Sequence, residues 1–187
     1  MESLLQFDQQ LLLYLNGLGD SAYDRFWLLL THKATNAVVY LSLSLLYAKK
    51  YGWVSFLYLF GWTLLLVGFT DQITNGFKYG FERFRPCHEP GIMDQVRLVK
   101  KSCGGLYSFF SGHASNSFAL ATLYFLTLKQ LLRNGRFLLF GLAILIAYSR
   151  VYIGVHYPLD IFCGAFFGLV AGTLFYSIGM RFKIIQS

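Results

Sequence analysis

The sequence has few charged side chains: Asp, Glu, Lys and Arg make up only 13% of its 187 residues, against roughly 25% in soluble domains. Hydrophobic residues make up 56%, which is more apolar surface than a soluble protein of this length can bury. The same composition excludes an intrinsically disordered chain, and three cysteines are too few for a disulfide-rich scaffold. We therefore predict an integral membrane protein that forms one domain, residues 1–187.

Long apolar stretches predict an all-α fold, a polytopic bundle of transmembrane helices. About 20 apolar residues span a bilayer, and we predict five spans; two of them reach that length only with polar residues at their ends. The first span is interrupted by His32 and Lys33. The five stretches are residues 23–48, 52–70, 114–128, 137–149 and 161–180.

The first 20 residues predict an amphipathic helix that lies in the membrane interface rather than a sixth span. Leu4, Leu5 and Leu12 can share one helical face while Asp8 lies elsewhere, and Asn16-Gly17 is a typical helix end. A basic n-region and a small-residue cleavage site are both missing, so we do not expect a cleaved signal peptide.

Small residues recur every four positions in the last stretch, at Gly164, Gly168 and Gly172. Such a ladder allows close helix packing, either between two chains or within one bundle. We favour packing within one bundle, and therefore a monomer.

The distribution of basic residues predicts an orientation in the membrane. Residues 79–111 form the one long polar loop. Because the five spans alternate in direction, this loop lies on the other side of the membrane from seven cations at span ends. An excess of Lys and Arg in short segments marks the cytoplasmic side. We expect a protein of the inner (cytoplasmic) membrane whose outer loop 79–111 faces the periplasm or outer side. The seven cations are Lys49, Lys50, Lys129, Arg133, Arg136, Arg181 and Lys183.

Three polar clusters then fall at the outer ends of spans. The first holds Lys78 and Arg85, seven residues apart, followed by Pro86. Both side chains can point the same way on a helix, and their charges suit phosphate oxygens. A basic patch that contacts lipid head groups would have the same composition.

The second cluster, Ser111-Gly112-His113, begins the third stretch. Small residues at a helix start leave backbone N–H groups free for an anion, and a histidine can transfer a proton near neutral pH. A plain serine N-cap beside an interfacial histidine is the simpler alternative.

The third cluster contains Arg150, His156, Pro158 and Asp160. Proline suits the first turn of a helix, so Asp160 would lie in that turn with His156 just before it. The carboxylate can then orient one ring nitrogen and leave the other as a nucleophile. A structural His–Asp pair is the alternative interpretation.

Together the three clusters resemble the type 2 phosphatidic acid phosphatase superfamily, which also includes vanadium haloperoxidases. That family has K-x6-R-P, then P-S-G-H, then S-R-x5-H-x3-D. The first pattern is matched from Lys78 to Pro86 and the third from Ser149 to Asp160, whereas Phe110 replaces the proline of the second.

The resemblance implies a phosphatase that needs no metal or other cofactor, and the sequence contains no carboxylate–histidine cluster with metal-binding spacing. It implies that His156 attacks phosphorus and becomes a phosphohistidine, that Asp160 orients it, and that His113 protonates the leaving oxygen and then activates water. The groups implied to hold the phosphoryl oxygens are Lys78, Arg85, Ser111, the Gly112 amide and Arg150.

We expect the partners to be the bilayer and a membrane lipid phosphate, with no nucleic acid. Undecaprenyl diphosphate is the first choice, because four further loop cations could hold a second phosphate. The alternatives are phosphatidylglycerol phosphate, phosphatidic acid or lipid A phosphatase activity, a vanadate-dependent haloperoxidase, and a non-catalytic protein that binds anionic lipid. The four further cations are Arg83, Arg97, Lys100 and Lys101.

Two cysteines, Cys87 and Cys103, lie in the same polar loop. In an oxidising periplasm they could form a disulfide at the rim of the site.

Overall fold

A computed structural model describes residues 2–187, and this part of the chain is helical without a β-strand. The predicted all-α fold is therefore confirmed. Short 3-10 turns lie in the connections, and one isolated bridge pairs Phe84 with Tyr107. The helices are α1 (Glu2–Gly17), α2 (Asp24–Leu30), α3 (Lys33–Tyr51), α4 (Trp53–Phe81), α5 (Gly112–Thr127), α6 (Lys129–Leu132), α7 (Leu138–Tyr152) and α8 (Pro158–Arg181).

Three helical stretches of the described chain are long and apolar enough to cross a membrane: Trp53–Phe81, Lys129–Tyr152 and Pro158–Arg181. The second stretch joins α6 and α7 through a 3-10 turn. They correspond to three of the five predicted spans, and the protein is an integral membrane protein. The count of five stays a prediction.

The two other predicted spans are not among these three helical stretches. Helix α5 has 16 residues, and the stretch 23–48 is divided into α2 and α3. The division falls at Thr31 and His32, where extended backbone at His32 lets its ring accept a hydrogen bond from the Ala34 amide at 3.3 Å. A side chain that caps the new helix therefore interrupts the span.

The glycine ladder packs α8 against α5 within the chain. A Cβ added to Gly164 would lie 2.6 Å from the carbonyl oxygen of Ser111, and Gly168 and Gly172 face the α5 backbone in the same way. Only hydrogen fits at these three positions. The predicted packing within one bundle is confirmed, and it fixes the start of α5 beside the start of α8.

Helix α1 ends at Gly17, as predicted, but its face toward the protein is partly polar. Asp8, Leu12 and Asn16 are buried, whereas Leu4 is 54% exposed. The expectation that Asp8 would lie away from the buried face is wrong, because this carboxylate pairs with an arginine of the outer loop. The exposed leucines remain free to contact lipid.

The outer loop begins at Glu82, three residues later than predicted, because α4 continues to Phe81. A disulfide joins Cys87 to Cys103, whose Cα atoms are 6.1 Å apart, as the sequence suggested. Asn16 anchors the loop: its amide donates to the Tyr152 carbonyl at 2.8 Å, and its side-chain oxygen accepts from the Arg97 amide at 2.8 Å. The loop is thereby held against the outer ends of α1 and α7.

Candidate active site

The beginning of α8 holds a histidine and a carboxylate together. Pro158 is the first residue of the helix, and Asp160 in its first turn accepts a hydrogen bond from the Tyr157 amide at 3.0 Å. The same carboxylate oxygen lies 3.2 Å from Nδ1 of His156. A proton on Nδ1 then faces the carboxylate, and Nε2 is left with a free lone pair.

His156 lies in a fully buried, positively charged environment, with its side chain only 2% exposed. Burial, followed by the positive charges of Arg85, Arg150 and Lys78, holds the pKa of His156 well below its usual value. The imidazole is therefore neutral at pH 7, which is the form that can act as a nucleophile.

Three cations converge in front of His156 from three elements. Lys78 comes from the last turn of α4, Arg85 from the outer loop and Arg150 from the end of α7. The loop backbone fixes Arg85, which donates from Nη1 to the Cys103 carbonyl at 2.7 Å and from Nε to the Tyr107 carbonyl at 3.2 Å.

Arg150 is buried, and its Nη1 donates to the Thr31 hydroxyl at 2.7 Å. Among residues 2–187, no group accepts a hydrogen bond from its buried Nε. A buried guanidinium donor without a protein partner suits an anion that enters the site.

The start of α5 supplies the remaining predicted residues. The Ser111 amide donates to the Asp160 carbonyl at 3.0 Å, and this bond ties the start of α5 to that of α8. The Ser111 hydroxyl is buried as the N-cap and accepts from the Ala114 amide at 3.4 Å. Gly112 and His113 instead face the cavity in front of His156.

One cavity of about 700 Å³ joins these groups to the interior of the bundle. Apolar residues and hydroxyl groups of α3, α4 and α5 line its deeper part, including Tyr40, Phe60 and Val67. Six of the eight predicted site residues line its charged end: Lys78, Arg85, Gly112, His113, Arg150 and His156. Of the other two, Ser111 forms the helix cap described above, and Asp160 holds His156.

Two of the loop cations expected to hold a second phosphate have protein partners instead. Arg83 bridges two carboxylates, Asp8 at 2.7 Å and Asp160 at 3.1 Å. Arg97 donates to both oxygens of Asp24 at 2.7 Å. The expectation for these two arginines is wrong, because each charge is already neutralised within the protein.

The other two loop cations differ in their surroundings. Lys100 is partly buried, and its pKa is lowered by burial and by the nearby charges of Arg150 and Arg85. Lys101 is exposed. Only Lys100 of the four loop cations therefore adds positive charge beside the site.

Sequence reasoning missed two groups behind the site, Asp8 and Thr31. The signal for Asp8 was a carboxylate in the middle of a leucine-rich helix, whose other acidic residue, Glu2, lies at its first position. No sequence signal identified Thr31, which contacts Arg150 across 119 residues of chain.

Comparison with known proteins gives the family. The PAP2 superfamily model matches residues 53–183. The lipid A 4'-phosphatase of Porphyromonas gingivalis is 34% identical over 181 residues, which is 95% of this chain and 75% of that protein. A lipid A 4'-phosphatase of Bacteroides thetaiotaomicron is also 34% identical, over 97% of this chain and 80% of that one.

Solved structures share the fold. The PAP2 type phosphatidylglycerolphosphate phosphatase of Bacillus subtilis superposes with a TM-score of 0.75 at 19% identity, over 97% of this chain and 88% of the other. LpxE of Aquifex aeolicus gives a TM-score of 0.65 at 24% identity, over 90% and 93%. The chain therefore belongs to the PAP2 superfamily and is a membrane-embedded lipid phosphatase.

Proposed function

We propose that this protein hydrolyses a phosphate monoester of a lipid A-type glycolipid at the outer side of the inner membrane. The reaction proceeds through a phosphohistidine on His156 and releases inorganic phosphate. The observation that carries the proposal is the shared cavity: Nε2 of an oriented, neutral His156 adjoins three cations at one end of a space that continues into the bundle. A lipid phosphate needs both a charged end and an apolar end.

The chemistry proceeds in two displacements at phosphorus. Nε2 of His156 forms a bond to phosphorus while the bond from phosphorus to the lipid oxygen breaks, and His113 gives that oxygen its proton. His113 then takes a proton from water, whose oxygen attacks the phosphohistidine. The phosphorus–nitrogen bond breaks, and inorganic phosphate and free His156 result.

The charge of the transferring phosphoryl group is balanced by protein cations in this proposal. Lys78, Arg85 and Arg150 surround the position in front of His156, and the buried Nε of Arg150 provides one free donor. The amide of Gly112, at the start of α5, adds the favourable end of a helix dipole. Preorganised donors of this kind stabilise phosphoryl transfer, so we propose that no metal ion takes part.

Two observations favour a monophosphate of lipid A over undecaprenyl diphosphate. Two relatives that are 34% identical carry the name lipid A 4'-phosphatase. In addition, Arg83 and Arg97 already have carboxylate partners, so the positive charge left for a second phosphate is mainly that of Lys100. Undecaprenyl diphosphate stays a prediction, and Lys100 is the residue that would support it.

We propose that the site faces the periplasm. The site lies at the ends of α4 and α7 that are opposite Lys49, Lys50 and the turn Lys129–Phe137. Lys and Arg collect on the cytoplasmic side of inner-membrane proteins. Fluorescent labelling of a cysteine placed at exposed Lys101, with a membrane-impermeant reagent on intact cells, should succeed without permeabilisation.

A turnover panel with purified protein in detergent tests the substrate. The panel contains lipid A with phosphates at both the 1 and 4' positions, each monophosphate, undecaprenyl diphosphate and phosphatidylglycerol phosphate. We expect the highest kcat/KM on a lipid A phosphate and loss of activity in His156→Ala. Faster turnover of undecaprenyl diphosphate would contradict the lipid A proposal, and faster turnover of soluble phosphate esters would contradict a lipid substrate.

Lys100→Gln separates the two lipid classes, with Lys101→Gln as its exposed control. If Lys100 holds a second phosphate, Lys100→Gln lowers kcat/KM for the diphosphate more than for monophosphates. We expect similar, modest losses on both classes, because the three site cations hold the reacting phosphate.

A further inference from the structure

Helix α1 places one buried carboxylate behind the active site. Asp8 is 4% exposed, although it lies on a surface helix whose other acidic residue, Glu2, is exposed. Burial of a carboxylate is unfavourable unless the group is paired and hydrogen-bonded. Asp8 meets both conditions: Oδ2 accepts from Arg83 at 2.7 Å, and Oδ1 accepts from the Leu159 amide at 2.9 Å.

Arg83 connects Asp8 to the catalytic histidine. Its Nη2 donates to Asp8, while its Nη1 donates at 3.1 Å to Oδ1 of Asp160. The other oxygen of Asp160 faces Nδ1 of His156 at 3.2 Å. The guanidinium carbon of Arg83 lies over the Tyr157 ring, 3.8 Å from its centre. A continuous chain of polar contacts thus runs from Asp8 through Arg83 and Asp160 to His156.

Asp8, the second carboxylate partner of Arg83, determines how Arg83 binds Asp160. A guanidinium with one carboxylate partner tends to bind both oxygens of that partner with its fork. Such binding would draw Asp160 toward Arg83 and away from Nδ1 of His156. With Asp8 present, Arg83 gives one nitrogen to each carboxylate, and one oxygen of Asp160 remains for the histidine.

We infer that Asp8 is a positioning residue for phosphoryl transfer: it holds Arg83 so that Asp160 keeps its orientation toward His156. The inference rests on the proposed role of His156 as the nucleophile. It assigns a function to α1 beyond membrane contact, since this helix supplies Asp8, the residue at the far end of the series of polar contacts. Asp8 thereby influences chemistry at His156.

The test compares Asp8→Asn with Asp24→Asn. Asp24 is a matched control, because it also joins an N-terminal segment to an outer-loop arginine, Arg97 at 2.7 Å, but has no contact with Asp160. Asp8→Asn keeps the side-chain size and leaves Arg83 paired with Asp160, so the protein should fold. The measurements are kcat and KM for a lipid A monophosphate, with thermal unfolding in detergent as a check of folding.

We expect Asp8→Asn to lower kcat about 10- to 100-fold, the range typical of residues that orient a group in direct contact with the reacting centre, with KM changed less than about 3-fold. Asp8→Glu, which restores the charge, should recover part of kcat. Asp24→Asn should keep kcat within about 2-fold. A purely structural role for Asp8 would instead lower the amount of folded protein and leave kcat per folded molecule unchanged.

Two outcomes overturn the inference: kcat of Asp8→Asn within about 2-fold of wild type, or an equal loss in Asp24→Asn. If Asp8→Asn folds poorly, kcat is compared per folded molecule, and Asp8→Asn combined with Arg83→Gln should show a smaller loss of kcat, because no guanidinium is left to draw Asp160 away from His156. His156→Ala in the same series separates the two proposals. An inactive His156→Ala beside an unaffected Asp8→Asn rejects only the role of Asp8, whereas an active His156→Ala rejects the nucleophile itself.

Discussion

Nδ1 of His156 lies 3.2 Å from Oδ2 of Asp160, four residues further along the chain. The short spacing spans the point where the loop becomes α8, so the helix start fixes both groups at once. The backbone amide of Tyr157 holds the same carboxylate oxygen at 3.0 Å. The orientation of the histidine is therefore built into one local turn, and the distant Arg83 reinforces it.

Asp160→Asn should lower kcat at least about 100-fold while KM changes much less, because an amide presents a donor or a weaker acceptor to Nδ1 and disfavours the reactive tautomer. The measurement is phosphate release from a monophosphate lipid in detergent. Asp94→Asn, at an exposed position of the outer loop, is the control and should retain wild-type kcat. Equal activity of Asp160→Asn and Asp94→Asn would refute the orienting role.

Acidification should destabilise the protein partly through His156. Its native pKa is lowered by burial and by Arg85, Arg150 and Lys78, whereas the unfolded chain binds a proton near the ordinary value of about 6.5. The stabilisation is present above that pH and is lost as the pH falls toward the native pKa. The thermal midpoint should drop more between pH 7.5 and pH 5.5 in wild type than in His156→Gln. An equal drop of the thermal midpoint in wild type and in His156→Gln would refute this linkage.

Helix packing at the glycine ladder gives a stability prediction. A Cβ at Gly168 would lie 2.9 Å from the Ala119 amide nitrogen, and neither backbone can easily move. Gly168→Ala should therefore destabilise the protein by about 1–3 kcal/mol, seen as a lower thermal midpoint. Gly61→Ala is the matched control, because no atom lies within 4 Å of its added Cβ. A midpoint for Gly168→Ala at or above that of Gly61→Ala would contradict the packing.

Strong chelators should leave turnover unchanged, because Lys78, Arg85 and Arg150 supply the positive charge around the phosphoryl group in our proposal. The measurement is kcat in excess EDTA after prior dialysis against the chelator, compared with the same protein in magnesium. A requirement for added divalent ion in the chemical step would argue against this mechanism.

Much of the site could be predicted from the sequence because its parts are local. Ser111 to His113 form one helix start, and His156 and Asp160 lie at another. At these two helix starts the spacing fixes relative position through ordinary helix geometry. The expectation that Lys78 and Arg85 share a helix is wrong, because α4 ends at Phe81 and Arg85 lies in the outer loop. The close packing of α8 could also be predicted from the sequence, since a four-residue period of small residues indicates close helix packing.

The parts that the sequence did not predict depend on contacts between distant segments. Asp8 and Arg83 are 75 residues apart, and neither pattern nor composition indicates their pairing. The same limit explains the wrong expectation for Arg97, whose partner Asp24 lies 73 residues away. The sequence alone does not show which carboxylate a loop cation pairs with, so each loop cation was expected to be available for phosphate.

Trapping of the covalent intermediate tests the central claim most directly. His113→Ala is incubated with a lipid monophosphate labelled with 32P and quenched in base, in which a phosphohistidine survives. Because this variant lacks the proposed acid and water-activating group, label should accumulate slowly on the protein. It should be lost in acid, map to the peptide that contains His156, and be absent from His113→Ala combined with His156→Ala. Label on another residue, or full turnover by His156→Ala, would contradict the account.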